Sequence, residues 1–312
     1  MRTRSKNNRG VWQNKSPLKV ARSHPATAVY RDKIYVFGGG GPAFKSLNTV
    51  EAYDPYRNRW SSLGEMPSYR SGAVALTVED RIYIIGGGFK KPDGKFRFLP
   101  TVEIYNPQND TWEKGVDMLK PHDYPAAALV NGTIYIIGGH HPDATEGGPQ
   151  TDPGFSFCER FNPQKDLWEE VVPLPTPRFA ASAIAYQGRI FTMGGVAFTS
   201  EGFKEFDCIE TYDPVLRVWS RSADMVLPCS MAAHGSCLVQ NRLYVCGGFT
   251  GETGIGVQCA VYDFGSNRWS VAPPLPQPRA AMGVVLIDRT IYLIGGWAAD
   301  RSVMNGVIAY QP

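Results

Sequence analysis

Apolar positions along the chain come in short bursts, without the three-and-four spacing of an amphipathic helix. Ile34-Tyr35-Val36-Phe37, Ile82-Tyr83-Ile84-Ile85, Ile134-Tyr135-Ile136-Ile137 and Ile291-Tyr292-Leu293-Ile294 are β-branched and aromatic, and too short for helices. Each reads as a β-strand, and each runs straight into a pair of glycines. Such pairs begin at Gly38, Gly86, Gly138, Gly194, Gly247 and Gly295, at intervals of 48, 52, 56, 53 and 48 residues. An aromatic stands three positions before every first glycine: Tyr35, Tyr83, Tyr135, Phe191, Tyr244 and Tyr292. One unit of about fifty residues therefore repeats six times, the mark of stacked copies of one supersecondary element.

Six and seven positions before each first glycine lies a polar dipeptide: Arg31-Asp32, Glu79-Asp80, Asn131-Gly132, Gln187-Gly188, Gln240-Asn241 and Asp288-Arg289. Tight hairpin turns are expected there, most plainly at Asn131-Gly132, whose residues accept the positive φ that a two-residue loop demands. The stretch before each turn, such as Gly72 to Val78 or Ala180 to Ala185, is then a first strand, rich in the small residues that suit crowding around an axis. Downstream, an aromatic and a tryptophan stand seven residues apart in five units: Tyr53 and Trp60, Tyr105 and Trp112, Phe161 and Trp168, Tyr212 and Trp219, Tyr262 and Trp269. This fixed spacing predicts a third strand, a tight turn and an outer strand, with variable length confined to the loop between the second and third strands. The sixth unit reaches Tyr310 and stops before its tryptophan. Trp12 is expected to supply it, the N-terminal segment forming the outer strand of the last sheet and removing an unpaired edge.

The glycine pair, the aromatic at fixed offset and the Tyr-x6-Trp spacing recur together along essentially the whole chain, which in this resembles Kelch repeats. The resemblance implies an all-β fold, a six-bladed β-propeller of four-stranded antiparallel blades with the first strand innermost. The blades are expected at about 20–62, 68–114, 120–170, 176–221 and 229–271, the sixth combining 277–312 with 9–14, in a single domain over 1–312.

Composition agrees with short strands and many turns: 33 Gly, 24 Pro and 12% aromatic residues, with 43% hydrophobic content that excludes a disordered chain. No apolar run approaches the roughly 18 residues of a membrane span. The first ten residues, MRTRSKNNRG, are basic with no apolar segment behind them, so no secretory signal is read and a cytoplasmic location is expected. A net charge of +3 without a long basic block gives no footprint for nucleic acid or an anionic membrane. Six cysteines (Cys158, Cys208, Cys229, Cys237, Cys246, Cys259) are irregularly spaced and are expected to be buried free thiols.

Candidate chemistry belongs to the loops, which depart from the repeat and sit on a rigid scaffold. Sixteen residues before each first glycine stand Arg22, Arg70, His122, Arg178, Met231 and Arg279, at the expected start of the first strand. If the units are equivalent, four guanidinium groups and one imidazole ring the channel mouth, offering planar forks to carboxylate or phosphate. The alternative is that each Arg ties its own loop to a backbone carbonyl or to Glu51, Glu103, Glu159 or Glu210. Tyr69, Tyr124 and Phe179 lie beside ring positions, and Phe249 and Trp297 follow glycine pairs; aromatics with Arg are the composition of protein-binding hot spots. The loop of blade two carries Lys90, Lys91, Lys95 and Arg97, whereas blades three and four carry Asp143, Glu146, Asp152, Glu201, Glu205 and Asp207, which predicts a face basic on one side and acidic on the other. His140-His141-Pro142-Asp143 opens the longest loop, but neighbouring side chains of an extended chain point apart and no third ligand is spaced with them, so no metal is expected. That loop reads as a recognition element or a lid.

Some Kelch-type proteins are enzymes. The chain carries no evident cluster for galactose-oxidase-like copper chemistry and no Glu-x3-Asp-x3-His iron motif, while an acidic sugar bound as in sialate mutarotases would suit the Arg ring. No catalytic residue and no cofactor are assigned; His122 or His234 with Asp123 is the acid/base candidate near the mouth. The Tyr-Asp-Pro turns and the Arg after Met-Pro or Leu-Pro resemble the Kelch domain of BTB-Kelch ubiquitin-ligase adaptors. No BTB or BACK segment is read, so an excised domain and a stand-alone propeller both stay open. The expectation is a monomeric module that binds an acidic peptide or protein through Arg22, Arg70, His122, Arg178, Arg279, Tyr69, Tyr124, Phe179, Phe249 and Trp297, as in a substrate-recognition scaffold. An enzyme acting on a small acidic sugar or similar ligand at the same mouth is the alternative.

Overall fold

The computed structural model describes residues 10–146, 152–251 and 254–312. The basic start of the chain (1–9), part of the long loop after Gly139 (147–151) and residues 252–253 of the expected fifth blade lie outside the described residues. Six four-stranded antiparallel sheets form, in the expected propeller arrangement. In blade one, strands Ala26–Tyr30, Lys33–Phe37, Val50–Asp54 and Arg59–Ser62 pair in chain order. The first strands of the six blades, Ala26–Tyr30, Val74–Val78, Ala126–Val130, Ser182–Tyr186, Gly235–Val239 and Gly283–Ile287, neighbour one another around the axis. Their hairpin turns take positive φ at both positions at Arg31-Asp32, Asn131-Gly132, Gln187-Gly188 and Asp288-Arg289. Each first strand starts four residues after Arg22 and its equivalents, not at them, so those six residues lie in the entry loops.

The last blade closes through the N-terminus. Gln13–Lys15 pairs antiparallel with Val307–Tyr310, and Trp12 lies 5.0 Å from the Tyr310 ring while donating its indole N–H to the Pro273 carbonyl at 3.0 Å. The same aromatic pair recurs between the third and outer strands of the other blades, from 4.8 Å at Tyr105 and Trp112 to 5.2 Å at Tyr262 and Trp269.

The apolar core is divided among the blade interfaces. Val285, Ile287, Tyr292 and Ile294 of blade six pack on Ile34, Val36, Tyr53 and Trp60 of blade one, and an equivalent cluster fills each of the other five interfaces. Burial of this surface supplies the non-directional part of the cohesion. The directional part is carried by the backbone at the glycine pairs. The second glycine donates its N–H to the carbonyl of the next blade's entry residue at 2.8–2.9 Å: Gly39 to Arg70, Gly87 to His122, Gly139 to Arg178, Gly195 to Met231, Gly248 to Arg279 and Gly296 to Arg22. The first glycine holds a left-handed φ, and a methyl group on Gly38 or Gly247 would land on that same carbonyl oxygen.

Two residues beyond each entry residue the backbone closes on itself. His24 N–H donates to Ala281 O, Ala281 to Ala233, Ala233 to Ala180, Ala180 to Tyr124, Tyr124 to Gly72 and Gly72 back to His24, at 2.7–3.3 Å. All six residues have left-handed φ, from 46° at His24 to 67° at Gly72, so five side-chain-bearing residues accept strain to complete the circle.

Two alanine substitutions in blade three separate backbone strain from blade contact. Gly132 has φ +76° in open space, whereas Gly138 has φ +63° against the Arg178 carbonyl. Gly132→Ala is expected to cost about 1–2 kcal/mol from the left-handed conformation alone, and Gly138→Ala at least twice that, measured by urea unfolding. Equal losses would show that the glycine pair does not set the blade spacing.

Candidate functional site around the channel mouth

The structure corrects the expected cationic ring. Arg22, Arg70, His122, Arg178 and Arg279 are at most 1% exposed and point into their own blades. Arg22 donates through Nη1 to Gly38 O at 2.8 Å and Thr49 O at 3.1 Å, and through Nη2 to Glu51 at 2.6 Å. Arg70 repeats this with Gly86 O at 2.9 Å, Thr101 O at 3.1 Å and Glu103 at 3.0 Å. His122 bridges Gly138 O at 2.6 Å and Glu159 at 3.0 Å, and Arg178 pairs with Glu210 at 2.9 Å. Each side chain thus ties its entry loop to the first glycine or third strand of the same blade, the alternative weighed for these residues. The reason is reach: the entry loop runs along the blade interior, where the unpaired carbonyl of the first glycine requires a donor. Burial holds the Arg22 and Arg70 guanidiniums below their ordinary pKa against the opposing pull of Glu51 and Glu103.

What faces the mouth is aromatic. Ring contacts run unbroken from Phe44 to Trp297 (5.8 Å), His24 (4.6 Å), Tyr124 (4.4 Å), His140 (5.2 Å), Phe179 (3.9 Å), Phe198 (6.0 Å) and Phe203 (5.0 Å). Phe249 joins Trp297 at 5.6 Å. Trp297, Tyr124, His24 and Phe249 are half-buried, Phe44 and Tyr69 are exposed, and Phe179 is buried beneath His140 and Phe198. Of the expected aromatics, Tyr124, Phe179, Phe249 and Trp297 are brought into one arc, while among the described residues no ring contact links Tyr69 to it. Within the arc a cavity of about 150 Å³ opens on the axis, lined by the six ring-closing residues with His234 and Met282.

Below the arc lies a cluster the sequence did not single out as one unit. Asp152 accepts from Nδ1 of His140 and, at 3.0 Å each, from the backbone N–H groups of His141 and Gly154. On the far side of the imidazole, Nε2 stands 4.0 Å from the buried Asp123 carboxylate, whose Oδ1 has no partner among the described residues. Burial pushes the Asp123 carboxyl up to about 7, with the His140 charge opposing and Asp152 adding to the shift. Burial also works against ionising Asp152, but the His140 hydrogen bond and charge outweigh it and hold that carboxyl below its usual range. His234, the other acid/base candidate, is buried against Ser182 Oγ at 2.7 Å and pushed down to about 4 by burial; burial, with His140, takes His24 down to about 3. Among the described residues no group of three His, Cys, Asp or Glu side chains is arranged to hold a metal.

The loop charges are partly spent within the molecule. Lys91 pairs with Asp93 at 2.8 Å and Lys95 of blade two with Glu146 of blade three at 2.6 Å, across the expected basic-to-acidic divide. Lys90 and Arg97 sit on a projecting hairpin, Gly88–Lys90 with Phe96–Phe98; Arg97 and the Lys90 end are exposed. All six cysteines are free, but Cys229 is exposed, a correction to the expectation that all six are buried. A larger open groove of about 550 Å³ lies on the opposite face between blades one and two, lined by Asp54, Arg57, Arg59 and Asp110.

The KLHDC2/KLHL20/DRC7 Kelch-repeats domain matches residues 5–195, and the Kelch motif matches residues 230–276. The chain belongs to the Kelch-repeat family. This Kelch chain is 29% identical over 280 residues to Kelch-like protein 36 of Rattus norvegicus, covering 87% of the chain and 43% of that relative. It is 25% identical over 305 residues to Kelch-like protein 23 of Homo sapiens, covering 97% of the chain and 50% of the relative, and 26% identical over 302 residues to Beta-scruin of Limulus polyphemus, covering 90% and 32%. The Kelch chain thus spans half or less of these curated relatives. Among solved structures, one titled "Structure of YjhT" superposes with a TM-score of 0.80 at 17% identity, over 95% of this chain and 96% of that one, a likeness of fold. No helix among the described residues is long and apolar enough to cross a membrane.

The shifted groups at the mouth give opposite pH dependences. A histidine depressed in the fold must be neutral to fold, so His234 adds stability as pH rises from about 4 to 6.5; a carboxyl raised in the fold removes stability as pH rises from about 4 to 7. Relative to the parent Kelch chain, Asp123→Asn is expected to gain stability from pH 5 to pH 8, by a few kcal/mol at most at about 1.4 kcal/mol per unit. His234→Gln is expected to gain as pH falls from 7 to 4.5. Denaturant unfolding across that range checks both, and pH-independent differences would contradict the burial of these groups.

Proposed function

We propose that the Kelch chain is a binding module that takes a segment of a protein partner across the aromatic arc of the channel mouth. The observation that supports this most is the arc itself: partly exposed rings from all six blades, Phe98 of blade two joining at 5.6 Å from His140 and Phe198 standing for blade four, held in mutual contact on a rigid frame. Rigid aromatics give large contact area at small entropic cost, and such rings carry the energy of protein interfaces. A preference for acidic segments no longer rests on the buried arginines. It rests on Lys90 and Arg97 of the blade-two hairpin and on Arg301, whose guanidinium lies 6.0 Å over Phe249. Cations at the rim of such a surface steer and orient an acidic partner more than they add affinity. A role as the substrate-recognition part of a ubiquitin-ligase adaptor, acting as a monomer in the cytoplasm, follows the resemblance to Kelch-like relatives.

A second reading draws on one observation. Asp152 fixes the tautomer of His140 and directs Nε2 toward Asp123, a carboxyl placed near neutrality, which is the arrangement of a proton-transfer pair. An enzyme using it would act on a small ligand seated against the partly exposed His140 at the mouth, since neither His140 nor Asp123 lines the axial cavity, and the buried arginines would take no part in holding that ligand.

Peptide display against the immobilised chain tests the binding reading. Enrichment of segments with an aromatic or apolar centre and acidic flanks is expected. Trp297→Ala should weaken a selected peptide at least tenfold, about 1.4 kcal/mol, and Lys90→Ala with Arg97→Ala should mainly slow association and reduce its salt dependence. Peptides that bind Trp297→Ala unchanged would dismiss the arc; peptides indifferent to the charge variants would dismiss only the acidic preference.

A further inference from the structure

Comparing the six entry residues with their third strands isolates one blade. Two positions before the third-strand aromatic stands Glu51, Glu103, Glu159 or Glu210 in blades one to four, and each faces the Arg or His of its entry loop. Blade five replaces both partners with apolar residues, Met231 and Ala260. Blade six keeps the cation, Arg279, but carries Ile308 where the glutamate belongs.

A second acceptor is missing at the same place. Thr49 Oγ1 and Thr101 Oγ1 accept from the Nη2 of Arg22 and Arg70 respectively, at 3.0 Å. The equivalent residue in blade six is Gly306. Its φ is outside the left-handed region, and an added Cβ would meet only Arg279 Nη2 at 3.2 Å and the Met304 methyl at 4.0 Å, so no backbone demand calls for glycine there. Arg279 Nη1 still donates to Gly295 O at 2.8 Å and Gly306 O at 2.9 Å, but Nη2 and Nε have no acceptor among the described residues, in a side chain that is fully buried. Burial with no facing carboxylate takes this guanidinium down to about 10. An unpaired buried charge is among the costliest features a fold can keep, and blade five shows that this chain can dispense with it.

The missing glutamate has further donors in the entry loop. Glu51 also accepts the backbone N–H groups of Lys19 at 2.8 Å and Val20 at 3.3 Å, and Glu159 those of Leu119 at 2.8 Å and Lys120 at 3.4 Å. In blade six the first of these two positions is Pro276, which has no N–H to leave unpaired. The second is Gln277, which keeps its N–H and is exposed, while Gly306 beside Arg279 Nη2 is partly exposed. We propose that blade six binds a small carboxylate anion beside Arg279, where Gly306 and Ile308 replace the acceptors of the other blades. The anion accepts from Nη2 and Nε of Arg279 and from the N–H of Gln277. It supplies from outside the chain the pair that blades one to four make internally, and it makes the stability of blade six dependent on a solute.

Thermal unfolding with sodium formate exchanged for sodium methanesulfonate at constant ionic strength tests this. The wild-type melting temperature is expected to rise by about 2–4 °C and to saturate, as site binding requires. Ile308→Glu, which restores a carboxylate at the position of Glu51, should melt higher than wild type and lose the response; Arg279→Met, which reproduces Met231, should also lose it. If one variant fails to fold, the other carries the comparison. A wild type indifferent to formate, or the same saturable rise in Arg279→Met, overturns the site. An equal rise with chloride overturns its assignment to carboxylates.

Discussion

The contact on which the rest of the structure depends is that between the entry-residue carbonyl of one blade and the glycine pair of the blade before it. It joins sheets whose strand ladders are otherwise self-contained, and it does so six times around a closed circle. A carbonyl can approach a backbone that closely only where no Cβ intervenes, so the glycine pairs are the sequence record of the blade spacing. Two residues further on, the ring of six backbone hydrogen bonds turns six pairwise contacts into one cyclic arrangement. Left-handed conformations at His24, Tyr124, Ala180, Ala233 and Ala281 are the strain it imposes.

This constraint decides where charge goes. With its carbonyl committed to the neighbouring blade, each charged entry residue turns its side chain into its own blade, where the first glycine's carbonyl (blades one, two, three and six) or a third-strand glutamate (blades one to four) receives it. Buried ion pairs of this kind contribute little net stability but are costly to half-remove. That asymmetry explains why blade five replaces both partners together and why the unmatched Arg279 of blade six stands apart. The loops beyond the entry residues are left to carry aromatic rings, and these are what the mouth presents.

Much of the fold was legible because a repeated unit states its own geometry. The Tyr-x6-Trp spacing located the third and outer strands, and the unmatched Trp12 located the closure of the sixth blade. The same equivalence placed Arg22, Arg70, His122, Arg178 and Arg279 at one structural level but not their direction, since periodicity fixes where a Cα lies and not where a long side chain points. The decisive signal was the companion glutamate two residues before each third-strand aromatic, and its loss at Ala260 and Ile308. The pairing of His140 with Asp152 was not legible, because both lie in a loop with no template in the repeat. Its sequence trace is Asp123, an acid where the other blades carry Ser23, Ser71, Phe179, Ala232 and Ala280.

Native-state hydrogen exchange at the amides of His24, Gly72, Tyr124, Ala180, Ala233 and Ala281 measures the central constraint directly. If the backbone circle is one cooperative unit, all six exchange only through global unfolding, with a common free energy equal to that from denaturant unfolding. Exchange of any one of them through a local opening, at a free energy well below its five partners, would contradict the claim that the closed ring holds the propeller together.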